Sequence, residues 1–172
     1  MPELTPQERL QPALLDRLTD EERDKTQEAP ERRVMSKRRL RQAVLRDLAW
    51  LFNTTRLEAG TDLSRAPEAR RSVLNYGLPA LSGRSATSID VTTLERAIRQ
   101  AVLDFEPRIL PASLRVRAVV HANQIDHYNV IGIEIHGFLW AQPAPLELLV
   151  RTEIDLETGT VEIADLMRSR AV

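Results

Sequence analysis

Apolar residues recur at three- and four-residue intervals after Ser36, at Leu40, Val44, Leu48, Leu51 and Phe52. That interval matches the turn of an amphipathic helix, so the pattern predicts a helix over 37–53, capped by the Ser36 hydroxyl and ending at Asn53. A second stripe, Leu94, Ile98, Ala101, Val102 and Phe105, runs until Pro107, which cannot continue a helix, and predicts one over 92–105. Thr92 and Glu95 have the spacing of a capping box. The period then changes to two. Val116, Ala118, Val120 and Ala122 alternate with Arg115, Arg117 and His121, and Ile131, Ile133, Ile135 and Leu139 repeat the pattern against Glu134 and His136. Leu146, Leu148, Val150, Thr152 and Ile154 then alternate with Glu147, Arg151, Glu153 and Asp155. These are strands with one apolar face each, and a Thr158-Gly159 turn leads to Val161 and Ile163, a short fourth.

Two amphipathic helices and one-sided strands imply a two-layer α+β domain over 36–172. Its two main helices pack on one face of a small, mainly antiparallel sheet of three to four strands, whose other face is polar. Residues 1–35 combine four prolines and dense mixed charge with the apolar cluster Leu10, Leu14, Leu15 and Leu18, and read as a flexible extension carrying one short amphipathic turn. Residues 54–89, with Gly60, Pro67, Gly77, Pro79 and Gly83, form a long irregular connector. Within it the stretch SVLNYGLP, Ser72 to Pro79, is too apolar for a disordered linker and is expected to pack on the core. The Asn-Tyr-Gly piece can turn, because asparagine and glycine tolerate positive φ. A sheet this small leaves edges that can accept a strand from another chain, and Val161 and Ile163 lie in the candidate edge.

Composition removes much chemistry. With no cysteine in the chain, disulfides, thiol nucleophiles, iron–sulfur clusters and thiolate zinc sites are excluded together. No apolar run is long enough to span a bilayer and the start lacks a signal-peptide pattern, so a cytoplasmic protein is expected, without direct membrane insertion. The net charge of −1 conceals segregation: residues 1–30, 31–120 and 121–172 carry −4, +8 and −5. Opposite fields of this kind steer charged surfaces together. Arginine supplies 22 of the 24 cations, which suits interfaces, as an arginine-rich genome would also supply. Arg38, Arg41 and Arg46 make a candidate basic interface on the first helix. With Arg39 they could contact nucleic acid phosphates, yet no aromatic residues interleave to stack bases, and a solvated or protein-facing surface is the better reading.

His121 and His136 could share the outer sheet face with Glu134, a set zinc would accept, but nothing fixes their register, and His127 belongs to no ligand motif. No serine elbow and no phosphate-cradling glycine loop is present, so no catalytic residue, metal or cofactor is assigned. The informative local feature is Glu106-Pro107-Arg108. A carboxylate at the negative end of a helix dipole asks for a cation, which Arg108 can supply, and Pro107 restricts how the two are displayed. By spacing alone this is a helix stop with a surface ion pair.

Four segments occur in order: Leu14 to Asp20 (LLDRLTD), Asp47 to Thr54 (DLAWLFNT), Ser72 to Pro79 (SVLNYGLP) and Phe105 to Arg108 (FEPR). In this order the chain resembles the TssE family, baseplate wedge subunits of bacterial type VI secretion systems, related to a wedge protein of contractile phage tails and often labelled lysozyme-like. The resemblance spans roughly residues 12–165, with Phe52 where the family usually has a leucine. It implies a non-enzymatic part that sits with TssF and TssG in the wedge, near TssK, joins it to the TssB and TssC sheath and helps to initiate sheath assembly. It also implies that Glu106, Pro107 and Arg108 bind partners, docking on the helical core of the wedge, while the sheet exchanges strands with the first sheath ring. The lysozyme label suggests a glycoside hydrolase instead. A general acid keeps its proton in an apolar pocket, and a carboxyl beside Arg108 is the opposite arrangement.

Overall fold

The computed structural model describes residues 13–19, 35–83, 89–119, 129–141 and 143–166. Among these, four α-helices precede four strands: α1 (Leu14–Leu18), α2 (Lys37–Phe52), α3 (Pro67–Arg70), α4 (Val91–Phe105), β1 (Arg115–Val119), β2 (Val130–Leu139), β3 (Leu146–Asp155) and β4 (Val161–Asp165). Single 3₁₀ turns lie at Leu57–Ala59, Val73–Asn75 and Pro111–Ser113. The two long helices, the α+β class and the short fourth strand are as the sequence predicts.

Helix α2 starts at Ser36, whose hydroxyl accepts the Arg39 N–H at 3.2 Å, and buries Leu40, Ala43, Val44, Leu48, Leu51 and Phe52. Helix α4 buries Leu94, Ile98, Ala101 and Val102. Its start corrects the sequence reading. The cap is Asp90, whose carboxylate accepts the Thr92 N–H at 3.1 Å, a stronger acceptor for the positive helix end than a threonine hydroxyl. Glu95 is thereby released from a capping box and accepts the Ala118 N–H of β1 at 2.7 Å.

The sheet runs β1-β2-β3-β4, antiparallel throughout. In register, Ile135 lies between Val116 and Val150, and Thr152 lies between Ile133 and Ile163, so one face is continuously apolar. Ile133, Ile135, Leu139, Leu148, Val150 and Ile154 are fully buried there, each worth about 1.5–3 kcal/mol of apolar transfer. On the opposite face Glu134 lies in register between Arg117 and Arg151, and His136 Nε2 stands 3.0 Å from Glu147. His121 and His127 lie outside the described residues; among those described, no three metal-ligating side chains converge.

Both sheet edges meet side chains. Glu95 occupies Ala118 at β1. At β4 the ladder bonds join Asp155 to Thr160 and Leu166 to Leu149, so Val161 and Ile163 turn their backbone groups outward. The Asn53 amide brackets Val161, donating to its carbonyl and accepting its N–H, both at 2.9 Å. Of the two candidate edge residues, Val161 is therefore already paired; Ile163 has no outward backbone partner among the described residues.

Candidate partner-binding groove

The chain leaves α4 at Glu106, whose N–H still donates to Val102. Pro107 ends the helix, and the next residues are stitched to the end of β2: the Trp140 N–H donates to the Arg108 carbonyl and the Leu110 N–H to the Phe138 carbonyl, each at 2.8 Å. Gly137 lets this segment lie close, since a Cβ there would sit 3.3 Å from Ile109 Cγ2. The backbone of the motif is thus fixed at both ends before any side chain acts.

Glu106 is 3% exposed, which corrects the expectation of a surface pair. Its Oε1 accepts from Arg108 Nε at 2.6 Å and from the Arg108 backbone N–H at 3.2 Å, and its Oε2 accepts from Nη2 at 2.5 Å. Nη2 also reaches Asp47 Oδ2. Asp47 Oδ1 accepts from Arg46 Nε at 2.9 Å, and Arg46 Nη1 donates to Asp16 Oδ1 at 2.6 Å. Five charges of alternating sign therefore run from the end of α4 across α2 to α1. Burial alone would favour a neutral Arg108, but the hydrogen bonds and charge of Glu106, then those of Asp47, outweigh it and hold the guanidinium well above its ordinary value. Arg46 is raised first by Asp16 and then by Asp47.

Apolar walls flank this chain. The Arg46 guanidinium lies 5.0 Å over the ring of Trp50, which is half exposed. Tyr76 meets the edge of Phe105 at 5.1 Å and donates to the Asp47 carbonyl at 3.3 Å. Its phenol is pushed up by burial and then by the charges of Asp47 and Glu106. A cavity of about 530 Å³ lies between Ala13 and Leu15, Trp50 and Leu51, Tyr76, and Phe105 to Arg108.

Tyr76 is held in place by the connector, in which Tyr76 and Leu78 pack on the core as expected whereas Val73 and Leu74 are 79% and 66% exposed. Gly77 has φ 121°, and a Cβ there would lie 2.2 Å from the Thr54 carbonyl, so only glycine lets the segment pass. Leu78 then exchanges backbone bonds with Thr54 and Arg56. The buried Asn75 amide accepts the Glu58 N–H and donates to the Arg70 carbonyl.

Of the candidate basic interface, only Arg38 is simply exposed on α2. Arg41 forks onto Asp165 at 2.7 Å and donates to the Glu147 carbonyl, tying α2 to the sheet, and Arg46 belongs to the groove. Two of the three are thus engaged within the chain. Spacing does not single out Asp16, Asp47, Trp50 and Tyr76 as site residues, and they lie within the other three segments that carry the family resemblance. All four segments converge on this groove.

A family model described as baseplate wedge protein gp25 matches residues 38–144, from the start of α2 to just beyond β2, including Asp47, Tyr76 and the Glu106 to Arg108 motif. No curated protein and no solved structure matches the chain. With well over half of the sequence matched, the chain belongs to the baseplate wedge protein gp25 family.

Proposed function

We propose that this protein is a non-enzymatic wedge component of a type VI secretion baseplate that joins the wedge to the contractile sheath and helps to start sheath assembly. Its proposed partners are TssF, TssG and TssK on the wedge side and TssB and TssC in the sheath, with Glu106, Pro107 and Arg108 at the wedge contact. Membership of a phage-tail-like baseplate family supports the general role. The observation that carries the groove reading is the convergence of all four segments on one cavity with a half-exposed tryptophan at its rim. Partner binding here uses a preformed charge chain: Glu106 fixes Arg108, and the adjoining Pro107 is exposed. Both carboxyls nearest the cavity are clamped by guanidinium groups, which suits ion-pair recognition rather than proton delivery to a glycosidic oxygen.

The test is co-purification of the tagged full chain from cells carrying the secretion genes. Recovery of TssF and TssG homologues supports the assignment. Recovery of nucleic acid alone, or release of reducing ends from peptidoglycan that Glu106→Gln abolishes, overturns it.

A further inference from the structure

Helix α1 is lightly held to the domain. At five residues it is too short to be stable alone, and Leu14 and Leu18 are 71% and 73% exposed. Its described attachments are Ala13 and the half-buried Leu15 along the groove wall and Asp16 on Arg46. The Asp16 side chain is nevertheless only 12% exposed, and its Oδ2 has no hydrogen-bond partner among the described residues. The Glu106, Arg108 and Asp47 contacts do not involve α1, so this part of the charge chain is complete without the helix that walls one side of the cavity. Residues 13–19 also lie outside the span that matches the family model.

We propose that residues 13–19 are a displaceable self-occupant of the Arg46 end of the groove, holding the place of a partner segment of the same chemistry: a carboxylate for Arg46 beside a leucine-like side chain against the wall. The inference rests on the reading of the groove as a partner site. Charge complementarity fixes the kind of partner. When Asp16 leaves, Arg46 and Arg108 share Asp47, and an incoming carboxylate restores the alternation of charge. A basic or purely apolar segment does not. The self-occupant also sets a threshold: if it fills the groove about nine-tenths of the time, a competitor binds about tenfold more weakly than to the open groove.

The test titrates a synthetic peptide of residues 11–20 into the isotopically labelled full chain, reading the Trp50 indole and Arg46 Nε resonances by NMR. Asp16→Ala in the protein is expected to lower the saturating peptide concentration about tenfold relative to wild type, and Leu15→Ser to act the same way. A peptide carrying Asp16→Ala is expected to leave both resonances unmoved. Equal titrations of wild type and both variants, or equal binding of the alanine peptide, overturn the proposal. A far-UV spectrum unchanged from wild type shows that the variants remain folded. Because no partner subunit is present, the result is independent of the co-purification: a positive titration with failed co-purification keeps the self-occupant and removes the wedge as its competitor.

Discussion

Arg108→Ala should destabilise the domain more than Glu106→Ala, although the two side chains make the same contact. In Arg108→Ala the carboxylate of Glu106, 3% exposed, loses the partners at 2.6 and 2.5 Å and retains the backbone N–H at position 108. Stranding a buried charge in this way costs about 3–5 kcal/mol. In Glu106→Ala the guanidinium is left behind with its buried Nη1 unpartnered, but the Arg108 side chain as a whole is 24% exposed and keeps Asp47, which takes up part of the loss. About 1.5–3 kcal/mol is expected. The double variant removes both charges, and its cost should fall short of the sum of the singles by about 2 kcal/mol or more.

Urea denaturation of wild type, both singles and the double gives the cycle, provided the slopes agree. In thermal melts each kcal/mol appears as a shift of roughly 2–4 °C. Losses within about 0.5 kcal/mol of wild type that simply add would show that the pair behaves as a surface contact, and the reasoning from burial would fail. The same numbers govern any assembly assay. With total stability of about 5–15 kcal/mol, a variant at this site must be shown folded before lost binding is assigned to the interface.

Gly77→Ala should cost more than about 3 kcal/mol, since the new methyl meets the Thr54 carbonyl at a positive φ; a melt within 2 °C of wild type would refute the clash. Tyr76 has a folded-state pKa raised above its unfolded value, so its contribution to stability is present below about pH 10 and lost as pH rises through the folded value. Urea midpoints measured from pH 8 to 11 should fall at the alkaline end, and less steeply in Tyr76→Phe; parallel curves would remove Tyr76 as a cause. Ile163→Pro deletes an outward N–H and leaves the β3 ladder intact, so the folded variant should fail to recruit fluorescent sheath subunits while retaining wedge partners, and normal sheaths would move the docking edge elsewhere. Val161→Pro is the poorer test because it also breaks the Asn53 contact.

The elements were legible because each has one apolar face with a clear period: Leu40 to Phe52 and Leu94 to Phe105 at the helical interval, and Ile131 to Ile135 at the interval of a strand. What spacing could not show was where polar groups go after folding. Glu95 has the right distance from Thr92 for a capping box, yet Asp90 competes better for the same donors and Glu95 crosses to Ala118. Glu106 is four residues from Val102 and looks like a surface helix end, but the pairing of Arg108 and Leu110 with the end of β2 draws it into the groove wall. Asp16 and Arg46 are 30 positions apart, and no local rule joins them. The family resemblance marked the segments that meet without saying which atoms do.

Helix α2 serves both surfaces proposed for docking, and that placement constrains how they act together. Asp47 and Trp50 face the groove, while Arg41 grips Asp165 and Asn53, at the C-cap, brackets Val161 at the opposite end of β4. The helix is 16 residues long, about 24 Å, and its apolar face is locked into the core, so groove and edge are held at a fixed spacing. Asn53 and Glu95 also occupy parts of the two sheet edges that would otherwise invite unregulated strand pairing. The outward backbone of β4 is thereby narrowed to the neighbourhood of Ile163. A strand added there would stop at the Asn53 amide, which would limit its register before any side chain is read.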